Sequence, residues 1–176
     1  MPVQLKLRDT CYPEKEVTHV RLIARGIVLD EQNRVALHYL HRNDIFGDQY
    51  YLETPGGGVD EGESFEQAVC RECEEELGYR VEILAYLGEV NDFYNLIGRE
   101  NHNRYFLCRR ASEVGIHFAS SGDTLIQETR YVPLEEAIAL MASQSEEGVA
   151  GLVKQRELPI LKEASHYLKN GSSAPK

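Results

Sequence analysis

Along the chain the spacing of apolar and polar positions changes several times, and each change marks an element. Residues 17–29 (VTHVRLIARGIVL) are rich in β-branched and aliphatic side chains and read as one long strand. DEQNR at 30–34 has turn chemistry and apolar positions return over 35–40, which predicts a β-hairpin. A loop at 43–48 leads to a short strand at 50–52. The run Pro55-Gly56-Gly57-Gly58 that follows suits neither regular structure. From Ser64 the period becomes helical. Ser64 with Gln67 three residues on makes a capping box, and Gly78 supplies the C-terminal stop. Strands are predicted over 81–90 and 102–109 with a polar loop at 91–101 between them, then a strand over 125–132 and a helix from Pro133 to Met141. A last helical pattern covers 152–168, where Pro159 must kink the helix or begin a new one. Strands and helices in this order, with both hairpins and crossovers, predict an α/β/α sandwich around a mixed β-sheet. The expected organisation is an N-terminal arm at 1–15, one domain at 16–142, a helical extension packed on it at 143–169, and a disordered tail at 170–176.

Charge sharpens this picture at one place. The 176 residues carry 19 Lys and Arg against 29 Asp and Glu, a net charge of −10. A basic face for extended nucleic acid or an anionic membrane is therefore not expected. Most of the surplus is local: between Val59 and Glu76 stand Asp60, Glu61, Glu63, Glu66, Glu72, Glu74, Glu75 and Glu76 against Arg71 alone. The start of the chain does not read as a secretory signal, no apolar run is long enough for a membrane helix, and the four cysteines read as free thiols. A cytoplasmic location is the expectation.

On a helical wheel Glu72, Glu75 and Glu76 share one face spanning about 100°, beside an apolar stripe of Val69, Cys73 and Leu77. Like charges four apart oppose a helix by a few tenths of a kcal/mol, roughly. A divalent cation reverses that sign, and clustered carboxylate oxygens suit hard ions such as Mg²⁺ or Mn²⁺. Taken alone, three glutamates on a helix are more often a solvated face. Their neighbours change the weighting. From Gly57 the order is five residues, Glu63, seven residues, then Arg71-Glu72-Cys73-Glu74-Glu75-Glu76-Leu77-Gly78-Tyr79. This resembles the Nudix box, G-x5-E-x7-R-E-U-x-E-E-x-G-U with U aliphatic, and the preceding Pro55-Gly56-Gly57 is also similar to that family. Cys73 and Tyr79 depart from it, both at packing positions.

The resemblance implies a Nudix hydrolase that uses Mg²⁺ or Mn²⁺ to cleave a nucleoside diphosphate linked to another moiety, by attack of water on phosphorus. It further implies that Glu72, Glu75 and Glu76 bind metal, that the Gly57 carbonyl adds a ligand, and that Glu63 and Arg71 orient the glutamates. For the general base the choice lies between Glu72 and a glutamate of a later loop, of which Glu128 is the candidate, with a plain strand-edge charge as its other reading. The alternative from another class is a catalytically silent Nudix-fold module that senses a nucleotide. The expected partner is a small nucleotide-type diphosphate, and the fold class admits a homodimer.

Weaker signals are weighed beside this. Phe93 and Tyr94 offer stacking platforms, and Arg99 and Arg104 offer phosphate contacts, although aromatics there serve a core equally well. Cys70-x-x-Cys73 lies within the predicted helix with Cys73 toward the core, which disfavours a redox or zinc role. His38 and His41 fall on opposite strand faces, so a shared metal is not expected. Subfamily markers conflict. Glu53 before Thr54-Pro55 resembles an ADP-sugar branch, the proline of that branch is missing from 90–104, and Tyr94 meets a dinucleoside polyphosphate pattern only loosely.

Overall fold

The computed structural model describes residues 1–171. Its strands are β1 (Val3–Lys6), β2 (His19–Leu29), β3 (Arg34–Asp44), β4 (Gly47–Glu53), β5 (Gly56–Gly58), β6 (Tyr79–Tyr94), β7 (Arg99–Glu113) and β8 (Ile126–Pro133). Its helices are α1 (Phe65–Leu77), α2 (Leu134–Ser143) and α3 (Gly148–Gly171).

The strands form one mixed sheet of order β1-β6-β7-β2-β3-β4, with β5 beside β2 and β8 beside β3. β2 runs parallel to β7 along its whole length, from His19↔Arg99 to Leu29↔Arg109. Its other edge meets β3 at Leu29↔Val35 and β5 over Ile23–Arg25. β3 takes β4 on that same side and β8 on the far side. The sheet thus consists of two halves joined at the Leu29–Val35 end and diverging from it. Asp30 closes the joined end: its carboxylate accepts from the backbone N–H groups of Gln32 and Arg34 and from Arg34 Nε.

Each face of the sheet buries an apolar layer. On one side Ala68, Val69, Cys73 and Leu77 of α1 pack against Ala24, Val28, Ala36, Phe106 and Cys108. On the other, Ala137 and Met141 of α2 and Val153, Ile160 and Leu161 of α3 pack against Ile27, Leu29, Leu37 and Leu107. This is the expected helix–sheet–helix sandwich. α1 begins and ends as predicted: Ser64 and Gln67 exchange both bonds of the capping box, and Gly78 caps the C-terminus at φ 75. All four cysteines are free, and burial pushes the Cys73 thiol up.

Three expectations are corrected. The polar loop predicted at 91–101 is strand on both sides of a single 3₁₀ turn (Asn95–Ile97). Asp92 and Asn101 look like loop residues, yet they are buried in the sheet, where Asp92 Oδ1 accepts from Nδ2 of Asn103, in the predicted strand, at 2.8 Å. The loop at 43–48 shrinks to a tight turn between β3 and β4. α3 starts at Gly148 and continues through Pro159. The loss at a mid-helix proline, about 3 kcal/mol, is offset by burial of Val153, Ile160, Leu161 and Ala164 around it. The N-terminal arm adds β1 to the sheet, parallel to β6. Of the tail predicted at 170–176, residues 170 and 171 belong to α3 and 172–176 lie outside the described residues.

Candidate active site

Where the two halves of the sheet diverge, a cleft opens between β2 and β7 on one wall and β3 and β4 on the other, with residues 120–126 over it. The Gly56–Gly58 strand and the Glu76 side chain of α1 form one end.

At that end Glu72, Glu76 and Asp123, all buried, each place a carboxylate oxygen within 4.8 Å of the others. The geometry follows from the helix. The stripe that packs on the sheet carries Glu72 and Glu76 down with it, to 5% exposure each. The glycine strand is required beside them, since a Cβ on Gly57 would lie 2.6 Å from Glu72 Oε1. The Gly56 N–H donates to Glu76 Oε2 at 2.9 Å, and His38 Nε2 lies 2.9 Å from the same oxygen. His38 is fixed in turn by Thr129 Oγ1 at 2.8 Å from Nδ1. Burial, relieved in part by the Arg71 hydrogen bond and raised further by Glu76 and Glu75, pushes the Glu72 carboxyl up to about 7.

Arg71 ties this end to the box loop. Its Nε and one terminal nitrogen donate to Glu63 at 2.9 Å each, the latter also to the Gly58 carbonyl, and the other terminal nitrogen donates to Glu72 Oε1 at 2.8 Å. The fork to Glu63 keeps that carboxyl below the usual glutamate range. Glu75 lies on the Arg71 side, 3.4 Å from its nitrogen, and is not part of the three-oxygen cluster.

Asp123 is the residue that sequence reasoning missed. It lies on the turn before β8, where its carboxylate accepts from the Ala119 and Ser120 N–H groups and the Ser120 hydroxyl. Burial raises its pKa, but those hydrogen bonds prevail and hold it low. Glu128, the sequence candidate, is not brought to the cluster: it lies exposed on β8 in a two-bond pair with Arg130. Glu128 stands five positions further along the chain, and the β-strand from Ile126 carries it away.

Of the predicted substrate contacts, Tyr94 and Arg99 line the cleft, with the Arg99 guanidinium 5.3 Å over the Tyr94 ring. Phe93, its neighbour on β6, lines a different hollow beside the N-terminal arm. Arg104 stacks on Phe65 and pairs with Glu89, away from the cleft.

Under the cleft lies a buried ionic network. Arg25 reaches Glu53 at 2.7 Å; Arg156 reaches Glu53 at 2.6 Å and Asp92 at 3.2 Å. Glu157 accepts from the Thr54 N–H at 2.8 Å. Arg156 and Glu157 come from α3, so the C-terminal helix helps build the cleft floor. Arg21, Ile23 and Arg25 on alternate positions of an otherwise apolar strand were the sequence signal for a charged inner face.

The donor set fits a divalent metal: three buried carboxylates with hard oxygen atoms converge, and Arg71 is the one cation that pairs with any of them among the described residues, through Glu72. The sequence profile of the NUDIX domain matches residues 19–152, and the chain belongs to the Nudix family. It is 34% identical over 119 residues to the CMP-5'-(N-acetyl-N-hydroxy-3-aminopropyl)phosphonate hydrolase of Streptomyces rubellomurinus, covering 66% of this chain and 53% of that protein. It is 36% identical over 80 residues to a putative 8-oxo-dGTP diphosphatase of Bacillus subtilis, covering 43% of this chain and 48% of that protein. The chain therefore spans about half the length of the curated relatives it matches. Among solved structures, a NUDIX hydrolase from Nitrosomonas europaea superposes with a TM-score of 0.61 over 83% of this chain and 88% of that one, at 17% identity. This last likeness is one of fold.

Proposed function

We propose that the protein is a pyrophosphohydrolase that uses Mg²⁺ or Mn²⁺ to cleave a nucleoside diphosphate linked to another moiety. The observation that carries this reading is the convergence of Glu72, Glu76 and Asp123 at the end of a cleft lined by arginines. The names of the two curated relatives, a phosphonate hydrolase acting on a CMP conjugate and a diphosphatase, support it.

Glu72, Glu76 and Asp123 would hold the metal, with the Gly57 carbonyl beside them and Glu75 within reach of Arg71. A bound cation neutralises diphosphate oxygens and lowers the pKa of a water. The chain's own groups do the rest. Arg71, locked by Glu63, orients Glu72. His38 and the Gly56 N–H orient Glu76. Asp123 stands at the same centre, which Glu128 does not reach, and joins Glu72 as a candidate for accepting a proton from the attacking water.

A phosphate-release screen with Mg²⁺ or Mn²⁺ over nucleoside triphosphates, ADP-ribose, sugar nucleotides and dinucleoside polyphosphates tests the reading. Turnover that requires metal and falls in Glu76→Gln supports it. Tight nucleotide binding with no turnover on any member of the panel would instead make the protein a nucleotide-sensing module.

A further inference from the structure

Five arginines line the cleft, and three of them are neutralised. Arg25 and Arg156 share Glu53, and Arg42 pairs with Asp44 at 3.0 Å. Among the described residues, Arg21 and Arg99 have no carboxylate partner, in a chain that carries 29 acids against 19 bases. They are placed together by the sheet. Arg21 pairs with Asn101 in the parallel β2–β7 register, and Arg99, two residues before Asn101, shares its face. Arg21 stands at the open mouth, its guanidinium 3.1 Å from where a Cβ on Gly58 would be, next to the glycine strand of the metal end. Arg99 is half-buried, and its Nε has no hydrogen-bond partner. Asn101 at the floor is fully buried, and neither its Nδ2 nor its Oδ1 has a partner.

Arg99 and Asn101 are unfavourable without a ligand, while Arg21 is exposed beside them. A buried amide left unpaired costs about 1–3 kcal/mol per group. Burial, and next the charge of Arg21, hold the Arg99 guanidinium below its ordinary pKa. One kind of ligand answers all three groups. Two guanidinium forks bind an oxyanion bidentately, Nδ2 of Asn101 adds a donor, and its Oδ1 accepts from a hydroxyl beside the anion.

We propose that Arg21, Arg99 and Asn101 form a second anion subsite in the cleft, so that the preferred substrate carries a phosphate or carboxylate beyond the diphosphate that is cleaved. The metal end then takes the scissile diphosphate, and the β2–β7 wall selects the rest of the molecule by charge. Substrate choice by this wall rests on the hydrolase reading above, whereas anion binding to it does not.

Two measurements test this. In the first, thermal unfolding is followed with EDTA and increasing inorganic phosphate, or acetate as the carboxylate probe. Wild type and Glu76→Gln are expected to be stabilised by at least one of these anions, whichever is the better match. Arg21→Gln, Arg99→Gln and Asn101→Leu are expected to lose most of that shift, and Arg99→Lys to keep part of it. Equal stabilisation of wild type and Arg99→Gln, or none in wild type, overturns the subsite. In the second, kcat/KM is compared between a nucleoside diphosphate conjugate with a phosphate or carboxylate on its remote moiety and its neutral counterpart. The expected preference is tenfold or more in wild type, carried mainly by KM, and it collapses toward one in Arg99→Gln. A wild-type ratio near one overturns charge selection while leaving the hydrolase reading intact. Anion binding without any turnover overturns the hydrolase reading and leaves the subsite standing.

Discussion

Glu72 and Glu76 stand four apart on α1, where like charges weaken a helix, and both are buried, where an isolated carboxylate is costly. The chain meets this with specific partners: Arg71 for Glu72, and His38 with the Gly56 N–H for Glu76. Removing one supporting group from a metal ligand lowers affinity or activity by roughly 10–100-fold. His38→Leu is therefore expected to lower turnover by that factor and to raise the Mn²⁺ concentration needed for half-maximal rate. A further contrast separates the two later acids. Asp123→Asn should cost about 100-fold in kcat or more, whereas Glu128→Gln, which loses only a surface pair with Arg130, should remain within about twofold of wild type, both read by phosphate release. Glu72 and Glu76 were legible in the sequence as neighbours because their spacing on one helix is fixed by 3.6 residues per turn, although the same spacing grouped Glu75 with them and the structure turns it toward Arg71. Asp123, His38 and Asn101 were not, because they reach the cleft through pairing between strands far apart in sequence.

Among the elements, the hairpin at Asp30 decides the shape of the cleft. β2 and β3 meet at Leu29↔Val35 and then take different neighbours, so the turn that joins them also sets where they part. Burial raises the Asp30 carboxyl, but hydrogen bonds from Arg34 and Gln32 prevail and hold its pKa below the ordinary value. A lowered acid stabilises the fold above its unfolded pKa, near 4, and that contribution is lost as pH falls through the folded value. Asp30→Asn should thus cost about 1–2 kcal/mol at pH 7, and the difference should shrink as pH falls below about 4, measured as urea midpoints. The hairpin and the capped helix could be read locally from DEQNR and from Ser64, Gln67 and Gly78. The extent of β6 and β7 could not. Asn and Asp usually mark loops, and only contacts such as Asp92 with Asn103, and Asp92 with Arg156 of α3, make Asp92 a strand residue.

Across the whole molecule, α3 joins the sandwich and the cleft. Residues 143–169 were expected to pack on the domain as an extension. We propose that α3 is instead needed for it to fold, because Ile160, Leu161 and Ala164 complete one apolar layer while Arg156 and Glu157 enter the network under the cleft. Arg156 is 1% exposed and faces Glu53, Asp92 and Glu157. Arg156→Met would leave these acids short of a cation, at a cost of about 3–5 kcal/mol. A chain ending at residue 142 should show no cooperative thermal transition, and a transition like that of the full chain would contradict this role. The local excess of acid between Val59 and Glu76 takes its meaning at this scale too. Of its acids, Glu72 and Glu76 reach the end of the cleft that the arginines line, and under the proposed function a bound cation would let both sides hold a phosphate substrate.

The central claim is that the Glu72–Glu76–Asp123 cluster carries metal-dependent cleavage of a diphosphate. Phosphate release from the best substrate of the panel, measured for wild type and Glu76→Gln with Mg²⁺ and again with EDTA, tests it most directly. The account predicts turnover only with metal, and a loss of about 100-fold or more in Glu76→Gln with its thermal transition retained. Equal rates in the two proteins, or wild-type turnover undiminished by EDTA, would contradict it.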